Sequence, residues 1–305
     1  MKQPPRRSPL GLGLAVATLL TLGLVPAAAR AETSIERAAR TGELLLGVYG
    51  DIPPYVSTTA DGDQEGYAID VAGLVAEQVS NYLGKPVSMV AERSDNATKL
   101  FERVHFGTID LVCGAQFTWE REMFVDFSIP FGLSGIRLLT AAGGLDGTPD
   151  SLRGKRVGVI TGSLGEATIK ALQPQATLSP VATIQAGIEA LKAGRIDAMA
   201  GDSLLMAGAA QSAALPGQQL VPTIPYNRYA VGCIMPENNS TLRNLVNLAL
   251  AQMVQGYVNE VPRYTELVNS WLGPDSSVGL PEEMIKAYFQ TVLLNHEQIL
   301  VPTTP

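Results

Sequence analysis

The fold is decided by the stretch Arg156-Val157-Gly158-Val159-Ile160-Thr161-Gly162-Ser163. Its apolar first half predicts a buried strand, Thr161-Gly162-Ser163 predicts a tight turn, and residues 164–172 predict a helix. A strand followed by a helix recurs in residues 43–79 and 179–192. Because repeated strand–helix units are typical of α/β proteins, the sequence predicts an α/β fold.

Residues 1–31 are predicted to be a signal peptide. An apolar run at residues 10–25 follows basic residues, and Ala29-Arg30-Ala31 supplies a small-residue cleavage signature. The run is shorter than a membrane span, and no Cys lies beside the cleavage site to carry a lipid. We therefore expect export to the periplasm by general secretion, with a mature chain that starts near Glu32. Arg6-Arg7 also allows a twin-arginine signal, but Pro9 and Gly11 disfavour it.

The expected mature sequence is acidic. Without residues 1–31 it has 18 basic and 29 acidic residues, a formal charge of −11 with His neutral. That sign opposes contact with a phosphate backbone, so no nucleic-acid partner is expected. Cys113 and Cys233 in an exported chain favour one disulfide over two separate buried thiols. His105 and His296 have no ligand spacing, and neither a metal nor another cofactor is expected.

Length and pattern together predict two lobes. Single cores seldom grow beyond about 250–300 residues, and this chain has 305 residues, 46% of them hydrophobic. Strand–helix units restart after the glycine-rich residues 143–149. A bridge between the two cysteines would bring the chain back, so we expect lobe 1 to comprise residues 32–136 and 229–305. Lobe 2, residues 137–228, would be inserted through hinge crossings near residues 134–139 and 226–231.

The remaining elements follow from the same patterns. We expect strands or extended segments at residues 86–90, 108–112, 124–140 and 229–234, and helices at residues 101–106, 240–255, 263–272 and 282–296. The last helix has an apolar face that contains Ile285, Phe289 and Val292. We expect this face to pack against lobe 1 rather than form a dimer contact, and the protein to be a monomer.

Four positions at predicted strand or helix ends suit the two charges of an amino acid. Arg121, ahead of an apolar β-rich run, can donate two hydrogen bonds to one carboxylate. Gly162-Ser163 offers free N–H groups and a hydroxyl to the same carboxylate. Asp202 offers a carboxylate to an ammonium group, and the edge at Gly114 and Gln116 offers backbone carbonyls. Local roles also exist, because Arg121 can pair with a neighbouring Glu, and Ser163 and Asp202 can each cap a helix.

Five motifs, in this order, resemble the type II periplasmic amino-acid-binding proteins of bacterial ABC transporters (extracellular solute-binding protein family 3). They are Gly66-Tyr67-Ala68-Ile69-Asp70-Val71, Gly107-Thr108-Ile109-Asp110-Leu111, Thr118-Trp119-Glu120-Arg121 with Val125-Asp126-Phe127-Ser128, Leu152-Arg153-Gly154-Lys155-Arg156-Val157-Gly158-Val159 with Gly162-Ser163, and Gly194-Arg195-Ile196-Asp197-Ala198 with Gly201-Asp202-Ser203. The resemblance spans residues 42–272. Cys113-Gly114 with Ala230-Val231-Gly232-Cys233 is most similar to the glutamate/aspartate-binding branch.

The resemblance implies a two-lobed receptor that closes on a free polar or acidic L-amino acid and delivers it to an ABC permease in the membrane. It implies no catalysis. Arg121, Ser163 and Gly162 would bind the α-carboxylate. The α-ammonium would contact Asp202 and the Gly114 carbonyl, with Gln116 beside them. The loops at residues 49–55 and 94–96, including Tyr49 and Asn96, would line the side-chain end.

This chain departs from the acidic-ligand branch at the side-chain end. Tyr49 and Ala97 stand where that branch is expected to have basic residues. Without those cations a ligand side-chain carboxylate would be unpaired, which is costly unless Lys99 or Arg228 compensates. The segment from Cys113 to Arg121 is also one residue shorter than in that branch. The identity of the amino acid therefore stays open.

Two other functions fit the same fold. An exported enzyme resembling cyclohexadienyl dehydratase would need a general acid in the cleft, and Glu166 is the candidate, although it also suits the N-terminus of a helix. A ligand-sensing module of a signalling complex would need a membrane segment or a fused catalytic domain. The receptor remains the favoured interpretation.

Overall fold

A computed structural model describes residues 32–141, 143, 145–212 and 217–295. The predicted leader and His296 lie outside these residues. The first elements are α1 (Ser34–Thr41), β1 (Glu43–Tyr49), β2 (Ser57–Thr58), β3 (Gln64–Glu65), α2 (Tyr67–Leu83), β4 (Ser88–Ser94), α3 (Ala97–His105), β5 (Val112–Gln116), α4 (Trp119–Glu122), β6 (Asp126–Phe127) and β7 (Gly132–Thr140).

The chain continues with α5 (Pro149–Leu152), β8 (Arg156–Ile160), α6 (Leu164–Leu172), β9 (Thr177–Val181), α7 (Ile184–Lys192), β10 (Ala198–Asp202), α8 (Ser203–Ser212) and β11 (Gln219–Val221). The last elements are β12 (Arg228–Met235), α9 (Ser240–Val258), α10 (Pro262–Leu272) and α11 (Glu282–Asn295). Within the described residues, none of these helices is both long enough and apolar enough to cross a bilayer.

The first lobe is organised around β1. This strand runs parallel to β4, in register from Glu43 opposite Ser88 to Tyr49 opposite Ser94. Helix α2 buries its apolar stripe, including Val71 and Val75, in the same core. It ends at Gly84, whose φ of +65° is readily adopted only by glycine. The apolar run of β1 and the helical spacing of apolar residues in α2 therefore produce the expected elements.

A second sheet runs through both lobes in the order β5, β12, β7, β10, β8, β9. Strand β12 lies antiparallel to β5 and to β7, whereas β10, β8 and β9 are mutually parallel. Two of the buried apolar clusters are made of residues between 138 and 226, and the largest cluster is made mainly of residues outside that range. The fold is the predicted two-lobed α/β architecture.

Strand β7 is the element that the two lobes share. Its first part pairs with β12, from Gly132 opposite Val231 to Gly135 opposite Arg228. Its next residues, from Ile136 onward, pair with β10. A strand that changes partners in this way can transmit a small change in backbone angle into a rotation of one lobe.

Two predicted elements begin elsewhere. The strand expected at residues 108–112 is β5, which starts at Val112, because Asp110 is buried and its carboxylate binds Arg37 and the Leu45 backbone N–H. The helix expected at residues 101–106 starts earlier, since the Asn96 side chain caps it. Arg121 does not lead directly into a strand. It lies in α4, where the Thr118 hydroxyl accepts the Arg121 backbone N–H.

The disulfide and the C-terminal packing are confirmed. Cys113 and Cys233 form a bond with an S–S distance of 2.04 Å and lie opposite each other in β5 and β12. Ile285, Phe289 and Val292 of α11 are buried in the largest cluster, which belongs to lobe 1. These contacts tie the returning chain to the elements from which it departed.

Candidate functional site

Arg121 supplies a half-buried cation. Its Nη1 donates a hydrogen bond of 2.9 Å to the backbone carbonyl of Gln116. Within the described part of the chain, no carboxylate lies within 4.0 Å of its side-chain nitrogens, so the alternative role, pairing with Glu120 or Glu122, does not occur. Burial lowers the pKa of Arg121, because desolvation disfavours the charged form. This guanidinium retains most of its five N–H donors for an anion.

Asp202 supplies a buried anion, with 5% of its surface exposed. Its Oδ1 accepts hydrogen bonds from the Leu204 and Leu205 backbone N–H groups at 2.9 and 3.1 Å, which makes it the cap of α8. The same oxygen accepts one from the Ser134 hydroxyl at 2.8 Å. Its Oδ2 accepts hydrogen bonds from Tyr229 and Gln116. Asp202 therefore caps α8 with Oδ1. Its two oxygens together also accept hydrogen bonds from side chains on β7, β12 and β5.

Gln116 connects the cation and the anion. Its carbonyl accepts the hydrogen bond from Arg121, and its Nε2 donates to Asp202 Oδ2 at 3.3 Å. Gly114, two residues earlier on β5, has a φ of +91°, and a Cβ there would lie 3.3 Å from the Tyr55 ring. Glycine is therefore required at that point both for the backbone conformation and for the approach of the ring. The predicted residues Arg121, Gln116, Gly114 and Asp202 thus lie in one region.

Gly162 and Ser163 form the N-terminus of α6, as predicted. The Ser163 hydroxyl accepts the Glu166 backbone N–H at 3.1 Å, and the Gly162 N–H donates to the Glu166 carboxylate at 2.7 Å. Glu166 also pairs with Lys170 at 2.8 Å. The hydrogen bond from Lys170, followed by that from Gly162, lowers the pKa of Glu166. Both site residues therefore also perform the local capping role that the sequence allowed.

Lobe-to-lobe contacts place α6 and α8 next to the residues of lobe 1. Within lobe 2, α6 lies against the strand that leads into α8, because a Cβ on Gly165, in the first turn of α6, would lie 3.1 Å from the carbonyl of Ala200 on β10. Leu164 and Leu204, which follow Ser163 and Asp202, pack against the lobe 1 cluster. A Cβ on Gly208 in α8 would lie 2.8 Å from the carbonyl of Pro53. The starts of both helices consequently border the cleft between the lobes.

The expected side-chain end has balanced charges. Tyr49 ends β1 and is half-buried, and Asn96 caps α3. Arg93 donates to Asp51 at 3.0 Å and lies 3.7 Å from Asp95. The hydrogen bond from Thr58 to Asp51 is the largest cause of the lowered pKa of that aspartate, and Arg93 contributes. Arg93, which directly precedes the predicted loop 94–96, is thus already paired with acidic side chains.

Lys99 and Arg228, the two candidate cations for an acidic ligand side chain, are both exposed. Lys99 lies on α3, where its backbone N–H donates to Asn96. Arg228 begins β12 at the hinge, opposite Gly135. No hydrogen bond connects either side chain to Arg121, Gln116 or Asp202 within the described ranges.

Two residues of the site were missed in the sequence. Ser134 and Tyr229 are direct cross-strand partners on β7 and β12, and both hydroxyls donate to Asp202. Tyr55, the last residue of the predicted loop 49–55, is fully buried, and its hydroxyl has no hydrogen-bond partner among the described residues. Alternation along β12 would have indicated that Tyr229 shares the buried face of Val231. Its partner could not be found without the strand register.

Three aspartates of the recognised motifs are structural. Asp110 and Asp197 occupy equivalent positions in the two lobes, since each carboxylate binds an arginine and the backbone N–H of a residue in a nearby strand. Asp70 accepts the indole N–H of Trp271 at 2.6 Å. Among the described residues, no group of three or more His, Cys, Asp or Glu side chains is arranged to hold a metal ion.

Comparison with known proteins identifies the family. Residues 44–274 match the bacterial extracellular solute-binding proteins, family 3. The chain belongs to this family. It is 27% identical over 251 residues to the glutamate/aspartate import solute-binding protein of Salmonella typhimurium, covering 77% of this chain and 82% of that protein. It is 26% identical over 267 residues to the L-cystine-binding protein TcyJ of Escherichia coli, covering 85% and 94% respectively.

Solved structures show the same fold. An ancestral amino acid-binding protein, described as a precursor of cyclohexadienyl dehydratase, superposes with a TM-score of 0.65 at 24% identity, over 79% of this chain and all of that one. The two curated relatives above are binding proteins and not enzymes. Membership of the solute-binding family and its two-lobed fold, both predicted from the motifs, are confirmed.

Proposed function

We propose that this protein is the receptor of an ABC importer, which captures a free amino acid between its lobes in the periplasm and delivers it to a membrane permease. The proposal is carried by two opposite charges in one region. Arg121 is a half-buried cation without a carboxylate partner in the described residues, and Asp202 is a buried anion. Gln116 connects them directly. The two opposite charges in one cleft match those of a zwitterion.

In the proposed complex Arg121 donates two parallel hydrogen bonds to the α-carboxylate, and the α6 N-terminus with Gly162 and Ser163 adds its positive end. Asp202 and the carbonyl of Gly114 accept the α-ammonium. The groups come from both lobes, with lobe 2 comprising residues 137–228. A ligand that contacts both lobes favours their closed arrangement, because it binds that arrangement more tightly than the open one.

We further propose that the ligand has an uncharged side chain. Arg93 at the side-chain end is balanced by Asp51 and Asp95, and the exposed Lys99 is not directed by any hydrogen bond towards the site. A side-chain carboxylate there would lose water without gaining a free cation, whereas an amide or hydroxyl group would not carry that penalty. The relative that binds glutamate/aspartate takes ligands of the first kind.

The state of Glu166 supports binding rather than catalysis. Its carboxylate is engaged by Lys170 and by the Gly162 N–H, and both lower its pKa. A general acid needs the opposite shift, towards the working pH. The residue that an enzyme interpretation would require is therefore held as an ionised helix cap.

A thermal-shift screen of the twenty amino acids and L-cystine, followed by calorimetry, tests both parts of the proposal. A ligand at about 100 times its Kd adds about 2.7 kcal/mol to the free energy of unfolding. We expect at least one uncharged amino acid to give such a shift and to bind at least tenfold more tightly than L-glutamate. If L-glutamate is the tightest ligand, the side-chain assignment is wrong. If no amino acid binds, the receptor function itself is wrong.

A further inference from the structure

The hydroxyl of Tyr229 lies in the network around Asp202 at a point that the proposed function does not use. It donates to Asp202 Oδ2 at 2.6 Å, and its oxygen accepts a hydrogen bond of 3.1 Å from Gln116 Nε2. The same Nε2 is 3.3 Å from Asp202 Oδ2. The Gln116 nitrogen therefore donates to two oxygens, one of a carboxylate and one of a phenol, and these two oxygens are hydrogen-bonded to each other.

Asp202 alone has little capacity for an ammonium group. Its Oδ1 already accepts three hydrogen bonds, from the Leu204 and Leu205 backbone and the Ser134 hydroxyl. Only Oδ2 remains, and an ammonium group has three donors that all need acceptors once water is excluded. Oδ2 and the Gly114 carbonyl supply two, so a third acceptor is needed close to Oδ2.

We propose that the Tyr229 hydroxyl oxygen is this third acceptor, and that the α-ammonium nitrogen of the ligand binds at the position that the Gln116 amide nitrogen occupies. The inference rests on the proposed function. A nitrogen at that position meets both oxygens at hydrogen-bond distance. The amide turns aside to admit the ligand, and a neutral donor is exchanged for a charged one, whose hydrogen bonds are about twice as strong.

The surroundings of Tyr229 maintain the necessary proton arrangement. The residue is 9% exposed, and its burial, together with the charge of Asp202, raises its pKa well above the ordinary value. The phenol therefore keeps its proton and donates it to Oδ2, which leaves the oxygen lone pairs directed elsewhere. A hydroxyl that donates to an anion is also a better acceptor, because hydrogen bonds in a chain polarise one another.

The position of Tyr229 places this contact at the hinge. Tyr229 is opposite Ser134 in the β12–β7 pair, so the two hydroxyls reach the two oxygens of Asp202 from the two hinge strands. Asp202 itself belongs to the strand that β7 pairs with after Gly135. The acceptor pair is thus already in place at the hinge between the lobes. The pair recognises an amine, which gives selectivity for α-amino carboxylates over carboxylates without the amine.

The test compares Tyr229→Phe with wild type by calorimetry. The ligands are the amino acid with the largest thermal shift and the carboxylate that lacks only its α-amino group, for example L-glutamine with glutaramate or L-alanine with propionate. We expect the variant to bind the amino acid at least tenfold more weakly and the matched carboxylate within threefold of wild type. Tyr257→Phe is the control, because it removes a hydroxyl that donates to Asn269 on the neighbouring helix. It should leave both affinities within twofold.

The outcomes separate this inference from the proposed function. Equal weakening of both ligands by Tyr229→Phe would show that the hydroxyl only supports the hinge, and would overturn the inference. Unchanged affinity for the amino acid would overturn it as well. In both cases wild-type binding would leave the receptor function standing. If wild type binds no amino acid, the proposed function fails and the inference fails with it.

Discussion

Replacing Arg121 with Met should separate binding from stability. In the fold the guanidinium makes one hydrogen bond, to the Gln116 carbonyl, and no ion pair with a described residue. Loss of that bond costs about 1 kcal/mol, and the relief of burying an unpaired cation opposes this loss. Met has a similar length and no charge. The free energy of unfolding should therefore change by less than about 1 kcal/mol.

Ligand binding should respond very differently. Removing one partner of a desolvated charge pair costs about 2–5 kcal/mol, which corresponds to a weakening of about 30- to 5000-fold. Calorimetry with the amino acid identified in the screen measures the affinity, and urea unfolding without ligand measures the stability. Arg121→Lys should recover only part of the affinity, because an ammonium group cannot donate two parallel hydrogen bonds to one carboxylate.

Arg137→Met is the matched control. Arg137 is also half-buried, and it donates to the backbone carbonyls of Leu220 and Pro222, the latter at 2.7 Å. Its loss should destabilise the fold by about 1–2 kcal/mol and leave the affinity within threefold. Retention of wild-type affinity in Arg121→Met, or an equal loss of affinity in both variants, would refute the role of Arg121 as the carboxylate clamp.

Three further predictions concern other parts of the molecule. Replacing Cys113 and Cys233 by Ala should lower the free energy of unfolding, measured in urea, by about 2–5 kcal/mol, because the bridge joins residues 120 apart in sequence. A loss below about 1 kcal/mol would show that the bridge restrains the unfolded chain only weakly. Hydrogen bonds from Thr148 lower the pKa of Asp146 to about 2, so the stability that its charge contributes is present above about pH 4 and is lost as the pH falls towards 2; the Tm difference between wild type and Asp146→Asn should shrink over that interval, and a constant difference would contradict the assignment. Ala97→Arg should improve L-glutamate binding relative to L-glutamine by about tenfold in calorimetry, and an unchanged ratio would mean that residue 97 does not face the ligand side chain.

The sequence predicted well those helices and strands that are stabilised by contacts between residues close together in the chain. Helix α6 runs from Leu164 to Leu172 as expected, because Ser163 caps it and Gly162 precedes it in a left-handed conformation. Helix α2 follows its apolar spacing and stops before Gly84, whose positive φ suits a helix end. The start of β5 was not predictable, since it depends on the binding of Asp110 to Arg37, which is 73 residues away in sequence.

The candidate site shows the same division. Arg121 and Asp202 could be proposed because the sequence shows a charged residue just before or just after an apolar segment. Tyr229 and Ser134 could not, because their meeting at Asp202 depends on the register between β7 and β12 and on the pairing of β7 with β10. The balance of Arg93 by Asp51 likewise depends on a contact across 42 positions. The residues proposed to bind the α-carboxylate and the α-ammonium of a ligand were therefore easier to predict than the residues around its side chain.

A crystal structure of the protein with its tightest-binding amino acid tests the proposed binding of the zwitterion. We expect the α-carboxylate within hydrogen-bond distance of the Arg121 guanidinium and the α-ammonium within hydrogen-bond distance of Asp202 Oδ2, in a cleft closed by both lobes. An amino acid bound with neither residue in contact, or held by lobe 1 alone, would contradict it.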